Sequence, residues 1–516
     1  MDTENDYRHR KIDSVSGLKG STITHINIIS SAALASIALY YALRTRLPTI
    51  SVVKLPASWA ILILPLLLSM TIFADNGGIL FCIFALPAAA LALIPRNESG
   101  STLPSAIKSR TSLKSAQAWP LATDTPKLTP LPCVTTYRAH MLLMSTLAIL
   151  AVDFPVFPRS LAKCETFGVS LMDLGVGSFV FTQGLVSAIP LIKSPGHLKS
   201  PILPKILTIT RKSFPIILIG LVRVILVKGT EYPEHETEYG THWNFFITLA
   251  MLPLMQTMLH PLMVHFSVTF IGVVIAILHQ LALSKFGLQE YVLNASRVNV
   301  LSANKEGVVS LTGYLAIHLL GLTTGTLILP PSPSYFRRIQ KQLKTGIRKD
   351  TDSSDKKLDA PRRTGKAATE LCAYAAMWWI LMGITRYFHL DGGDGSSRRL
   401  INMSHIFWVS AYNTSFILGY MVLDMLFFPT RPPSKSSKST DDGPIHHPEI
   451  PLPLLSAINK NGLPIFLLAN VATGVINLTI PTLDTSNFWA MVILCSYSYA
   501  LCAIAWMYRN KRLLQL

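Results

Sequence analysis

Apolar residues run along this chain in long blocks separated by short polar breaks, and no two-residue alternation appears within the blocks. Thirteen blocks can be delimited. They are Ile26 to Leu43, Ala57 to Ala74, Ile79 to Ile94, Tyr137 to Phe154, Val169 to Ile192, Ser213 to Val227, Trp243 to Leu259, Pro261 to Leu283, Val308 to Leu329, Ala367 to Tyr387, Ile406 to Phe428, Leu463 to Ile480 and Phe488 to Tyr508. Most are close to the roughly 20 residues a helix needs to cross the hydrocarbon core of a bilayer. In lipid every backbone N–H and C=O must find a partner within the protein, so uninterrupted blocks predict helices, and the missing alternation argues against a barrel. The expected fold class is all-α, a polytopic membrane protein with about thirteen transmembrane helices. The seventh and eighth blocks meet at His260-Pro261 and predict a tight hairpin there.

Composition agrees. Half of the 516 residues are hydrophobic, 14% are charged, and the mean hydropathy is +0.40. A soluble protein of this length rarely has such a balance. With a cytosolic C-terminus, the breaks that fall on the cytosolic side hold most of the 46 Lys and Arg residues, as the positive-inside rule requires. The N-terminal tail is then lumenal, although Arg8, Arg10, Lys11 and Lys19 within it argue weakly the other way. The net charge of +18 therefore reads as topology and calls for no nucleic-acid partner. The largest basic cluster, Arg337 to Lys366, lies among Ser, Thr and Asp as a juxtamembrane loop that can touch anionic lipid. The expected organisation is a lumenal tail over 1–25, one transmembrane domain over 26–508, and a basic cytosolic tail over 509–516. Pro- and Ser-rich cytosolic linkers are expected near 95–136, 330–366 and 429–462.

Six cysteines show no CxxC pairing, so neither a disulfide framework nor a zinc site is expected, and no metal ligand set stands out. Residues 1–25 lack the apolar stretch of a signal peptide, which leaves the first helix as the insertion signal.

Acidic residues collect in breaks on the lumenal side. Four loops concentrate the ionisable and polar groups on that side: Asp153 to Asp173, Lys228 to Asn244, Arg297 to Gly307, and Arg398 to Asn413. Ionisable groups at a bilayer boundary are costly to keep and mark a candidate functional site. In the first loop, Pro155 and Pro158 stop the helix and fold the chain back, so Asp153 and Lys163 can face each other. At about 4 Å such a pair attracts by roughly 4 kcal/mol at an effective dielectric near 20. A salt bridge that closes the turn is the structural alternative.

The stretch from Ala151 to Ser178 closely resembles the PIG-W family of inositol acyltransferases, whose fungal branch is the GPI-anchored wall transfer proteins. The resemblance continues through Glu234 to Phe246, Asn304 to Gly307, Ser397 to Leu400 and Ala457 to Gly462. The long Ser- and Lys-containing linkers suggest the fungal branch. The resemblance implies an O-acyltransferase of the endoplasmic reticulum membrane. It would move a fatty acyl group, usually palmitoyl, from acyl-CoA to the inositol 2-hydroxyl of glucosaminyl-phosphatidylinositol, with no bound cofactor and with membrane lipids around it. It also implies that Asp153 and Lys163 are the key pair. A sugar alcohol needs a general base, whereas a thioester already carries a good leaving group. Asp153 is then the expected base and Lys163 its electrostatic support, with Ser160 and Cys164 structural.

Around the pair, Arg159, Arg398 and Arg399 are candidates for phosphate or CoA contacts, and Glu165, Lys228, His235, His242, Trp243 and Asn244 for the glycolipid headgroup. Arg223 sits inside the sixth block and needs a partner, with Asp173 and Asp424 as candidates. Other readings are a lipid or solute transporter, a histidine-based acyltransferase using His140 or His242, and a noncatalytic assembly factor. No internal repeat favours the transporter.

Overall fold

The protein, seen in a computed structural model, is described over residues 2–47, 53–96, 128, 130–229, 236–345, 358, 362–428 and 452–514. Among these residues it is all-α, and the β structure amounts to one isolated parallel bridge between Gly20 and Val169. Helix occupies all thirteen apolar blocks. Nine of the described helices are long and apolar enough to cross a membrane, and Leu55–Ser69, Gly77–Ala92 and Phe245–Met258 are apolar but shorter. The 28-residue helix Ile202–Gly229 carries Lys205, Arg211, Lys212, Arg223 and Lys228 among its apolar residues.

Two details differ from the expected pattern. The second block is interrupted at Ile63, where Pro65 begins a new turn: helix Leu55–Leu62 gives way to Leu64–Ser69. The hairpin at His260-Pro261 is a short helix, His260–His265, and the next long helix starts only at Val268, where the Ser267 hydroxyl accepts from the Phe270 N–H. Of the expected linkers, 97–127, 346–357 and 429–451 lie outside the described residues. Where the linkers are described they include helices, Tyr335–Thr345 and Pro453–Lys460. The first of these buries Tyr335 and Phe336 and is held to the Met263 carbonyl by Gln340.

Within the largely apolar core several polar side chains are buried in hydrogen-bonded pairs, while large apolar side chains are exposed on outer helix faces. His318 meets Gln256 at 2.7 Å, Tyr137 donates to Asn413, and Asn413 and His318 are fully buried. Leu203, Leu207, Phe214 and Ile225 are exposed along one helix, and Val471, Val475 and Leu478 along another. Such outward faces are satisfied by lipid tails.

The centre of the bundle is helix Lys305–Ile328, buried along nearly its whole length. It packs against Leu171–Lys193 through glycines. A Cβ at Gly321 would overlap the Phe181 carbonyl, one at Gly325 the Leu185 carbonyl, and one at Gly184 the His318 carbonyl. Gly321 and Gly325 are four apart, the small-residue spacing that lets two membrane helices touch backbone to backbone. Trp378, fully buried, stacks on Phe407 at 6.1 Å.

Replacing Gly321 or Gly325 with Leu should therefore cost at least about 1–3 kcal/mol of overpacking strain. Gly383, which has open space beside it, should accept Ala with little change. Thermal unfolding in detergent should separate the two classes, and equal tolerance at all three positions would contradict this packing.

Candidate functional site

The acidic loops meet at one end of the bundle. Gly168 N–H donates to Ser396 O at 2.8 Å, and Ser397 Oγ to Thr166 O at 2.6 Å. Thr241 N–H donates to Ala303 O at 3.0 Å, and His242 N–H to Asn304 Oδ1 at 2.8 Å. Several helices also start at this end with a side-chain cap, Thr22, Ser170, Asn244 and Asn402 each accepting from a first-turn N–H. These caps satisfy donors that bulk water would otherwise have to reach.

The turn after helix Pro132–Ala151 presents both expected key residues. The helix ends at Val152, just before Pro155, and Arg159 Nη1 donates to the Val152 carbonyl at 2.5 Å. Phe154 and Phe157 are fully buried and anchor the turn. Asp153 and Lys163 nevertheless do not pair with each other. Asp153 Oδ1 lies 3.3 Å from Lys11 Nζ, and Asp153 Oδ2 accepts from Asn477 Nδ2 at 2.8 Å. Lys163 Nζ donates to both carboxylate oxygens of Glu238, at 2.9 and 2.7 Å.

From Lys163 a chain of alternating charge runs inward. Glu238 Oε1 is 3.1 Å from Arg398 Nη1, and Arg398 Nε donates to Asp173 Oδ1 at 2.8 Å. Asp173 Oδ2 accepts from Ser170 Oγ at 2.8 Å and from the Cys164 N–H at 3.1 Å. Exposure falls along the chain, from 41% at the Lys163 side chain through 19% at Glu238 and 7% at Arg398 to 1% at Asp173. Burial pushes the Glu238 carboxyl up, but Lys163 and Arg398 outweigh it and hold the group at about 2. Burial likewise opposes the Arg398 charge, and Glu238 and Asp173 more than restore it. The Cys164 thiol is driven far above its ordinary range by burial and by Asp173, which removes it as a nucleophile.

A second cluster braces the first. Glu306, fully buried, accepts from Arg297 at 2.7 and 3.0 Å and from Arg399 at 3.0 Å. Arg399 is thus engaged within the protein, as are Arg398 and Arg159. Trp243 Nε1 donates to Thr248 and its ring packs on Gly307, while Asn244 caps its helix and donates to Gly220 O. The Glu165 and His242 side chains are exposed. Neither Asp173 nor Asp424 is the partner of Arg223, because Arg398 takes the first and Tyr41 donates to the second at 2.9 Å. Arg223 is exposed and acts electrostatically on Glu238. His235 and the Lys228 side chain lie outside what is described. His140 sits within its helix against Tyr420 at 2.8 Å.

Three groups central to this geometry escaped the sequence reading: Glu238, Lys11 and Asn477. Glu238 lies in a run with Glu231, Glu234 and Glu236, and nothing in the spacing marks it as the partner of Lys163 and Arg398. Lys11 and Asn477 meet Asp153 from distant parts of the chain, which no local pattern reveals.

Comparison with known proteins places this arrangement among relatives. The family model described as GWT1 matches residues 7–508. The chain is 41% identical over 398 residues to GPI-anchored wall transfer protein 1 of Cryptococcus neoformans var. grubii, a match covering 74% of this chain and 63% of that protein. It is 36% identical over 518 residues to the protein of the same name from Aspergillus fumigatus, covering 97% of each, and 34% identical over 518 residues to that of Yarrowia lipolytica, covering 98% of each.

The charge chain has a graded consequence for stability. Asp173→Asn strips a buried cation of its partner and should cost about 3–5 kcal/mol, whereas Lys163→Met at the exposed end should cost no more than about 1 kcal/mol. Because the Glu238 carboxyl is depressed, its contribution is complete above the ordinary carboxylate range and fades only as pH falls toward about 2. The stability difference between the parent and Glu238→Gln should therefore stay flat from about pH 7 to 5. Thermal unfolding of the three variants in detergent checks the order, and a Lys163→Met loss as large as that of Asp173→Asn would contradict it.

Proposed function

The chain belongs to the GWT1 family, and from that membership and the loop-end charge geometry we propose that it is an acyl-CoA-dependent O-acyltransferase of GPI-anchor biosynthesis. The substrate is glucosaminyl-phosphatidylinositol, the acceptor its inositol 2-hydroxyl, and the acyl group palmitoyl. The chain works in the endoplasmic reticulum membrane with thirteen crossings, its N-terminus lumenal and its C-terminus cytosolic. The docking of helix Asp2–Asp13 beside Asp153 and Asp484 supports placing the N-terminal tail on the same side as the acidic loops. The name shared by the relatives, GPI-anchored wall transfer protein, supports the pathway.

In this reading the Asp153 carboxylate takes the proton of the inositol hydroxyl as its oxygen attacks the thioester carbonyl. Lys163 stabilises the oxyanion that develops on that carbonyl. The C–S bond then breaks, CoA leaves as the thiolate, and the proton held by Asp153 passes to it. The products are the inositol ester and free CoA, with Asp153 returned to its charged form. No acyl-enzyme is required, in keeping with the depressed acidity of the Cys164 thiol. Arg223, Arg159 and His242, with Lys228 and His235, are proposed to face the phosphate and sugar of the substrates, while Arg398, Arg399, Trp243 and Asn244 shape the loops around them. Glu165 and Asp173 complete the set, the first at the surface and the second beneath Arg398.

The observation that carries this reading is the half-exposed Lys163 side chain at the outer end of an otherwise buried charge chain. Holding a lysine there with Glu238, Arg398 and Asp173 fixes a cation at the site mouth without neutralising its exposed side. With purified protein, palmitoyl-CoA and glucosaminyl-phosphatidylinositol, Asp153→Asn and Lys163→Met should each lower kcat by about 10²–10³-fold or more. His140→Ala and His242→Ala should stay within about tenfold of the parent, well short of the loss of a general base. Near-normal turnover in Asp153→Asn would overturn the assignment of the base, and loss confined to the histidine variants would favour a histidine mechanism.

A further inference from the structure

Asp153 carries the proposed proton transfer, yet the cation beside it is not Lys163. Lys11 fills that place. Its Nζ lies 3.3 Å from Asp153 Oδ1 and donates to Asn477 Oδ1 at 2.8 Å, while Asn477 Nδ2 donates to Asp153 Oδ2 at 2.8 Å. The three side chains close a ring. Asn477 uses both ends of its amide, and each Asp153 oxygen has one partner and a lone pair to spare. The Lys11 and Asp153 side chains are 18% and 11% exposed, so the ring is largely shielded from water.

The helix that delivers Lys11 is fastened independently. Tyr7, one turn earlier on the same face, accepts the Leu483 N–H at 3.2 Å and lies 3.5 Å from Thr482 Oγ1. Arg10 reaches Asp484 at 3.0 and 3.3 Å on an exposed flank. The other charged group near Asp153 is Arg159 on its own turn, which acts on it electrostatically while its Nη1 is spent on Val152 O. Asn477, from helix Gly462–Thr479, is neutral.

We infer that Lys11 is a positioning residue for acyl transfer: from the N-terminal helix it sets, together with Asn477, the orientation of the Asp153 carboxylate and so fixes which lone pair meets the substrate hydroxyl. This rests on Asp153 being the base. Lys163 is thereby free to serve the thioester carbonyl, and the two cations divide the work between the attacking hydroxyl's base and that carbonyl. A carboxylate released from this ring can rotate and no longer aims a lone pair at the attacking hydroxyl.

The test uses the full-length purified protein with palmitoyl-CoA and glucosaminyl-phosphatidylinositol. Lys11→Met should lower kcat by about 10²-fold, the scale of a misplaced catalytic group, with KM for both substrates within about twofold. Lys11→Arg should recover most of the rate. Asp484→Ala, which removes the exposed anchor and spares Lys11, should stay within about threefold, since such pairs contribute little. Adding Lys11→Met to Asp153→Asn should produce no further loss, because the two act as one unit. Hydrogen exchange across residues 2–13 reports whether the helix stays docked.

Lys11→Met with at least half the parental kcat would overturn the inference. So would Lys11→Arg as slow as Lys11→Met while the helix remains protected, or a Lys11→Met loss that multiplies in full on Asp153→Asn. If Asp153→Asn itself turned over normally, the base assignment would fall first, a result distinct from failure at Lys11 alone.

Discussion

Burying the guanidinium of Arg398 is the constraint on which the loop end of this protein depends. A buried cation is tolerable only when its charge and its donors are met, and here Asp173 meets it at 2.8 Å and Glu238 at 3.1 Å. Arg398 and its two partners come from three separate parts of the chain, so satisfying one guanidinium ties the loops at 153–173, 236–243 and 396–402 to each other. Glu238, once recruited, has room for a second cation, and Lys163 takes it. The result is a neutral chain of four alternating charges that is dry at Asp173 and wet at Lys163. Glu306 repeats the device with Arg297 and Arg399 and fixes the neighbouring loop.

The helices supply the rigid frame for this end. Glycines at 184, 321 and 325 bring two helices to backbone contact, and the site-end caps set where each chain segment leaves the bundle. Loops held between such fixed points lose less entropy on ordering than free ones would. The ion pairs therefore act on segments that are already close.

Much of this was legible in the sequence. Uninterrupted apolar blocks located the helices, because lipid permits few other solutions. Their ends were less legible: the break at Ile63 and the short helix His260–His265 depend on local proline chemistry and on neighbours such as Gln340. The four loops rich in ionisable and polar groups are recognisable as a group from their place between blocks. Which charges pair is not. A ten-residue spacing brings Asp153 and Lys163 onto one turn, yet each is claimed by a residue from elsewhere, Lys11 and Glu238, and ion-pair partners remote in sequence leave no periodic trace. Arg223 shows the same limit, since both carboxylates that hydropathy suggested for it are committed to Arg398 and Tyr41.

Radiolabelled palmitoyl-CoA and glucosaminyl-phosphatidylinositol, incubated with the purified protein, should give a labelled glycolipid in which the acyl chain is esterified to the inositol ring. Because phosphatidylinositol-specific phospholipase C attacks phosphorus through the ring 2-hydroxyl, that product should resist the lipase until mild alkali removes the ester. A labelled product still open to the lipase, or no labelled product from a stable and monodisperse preparation, would contradict the account.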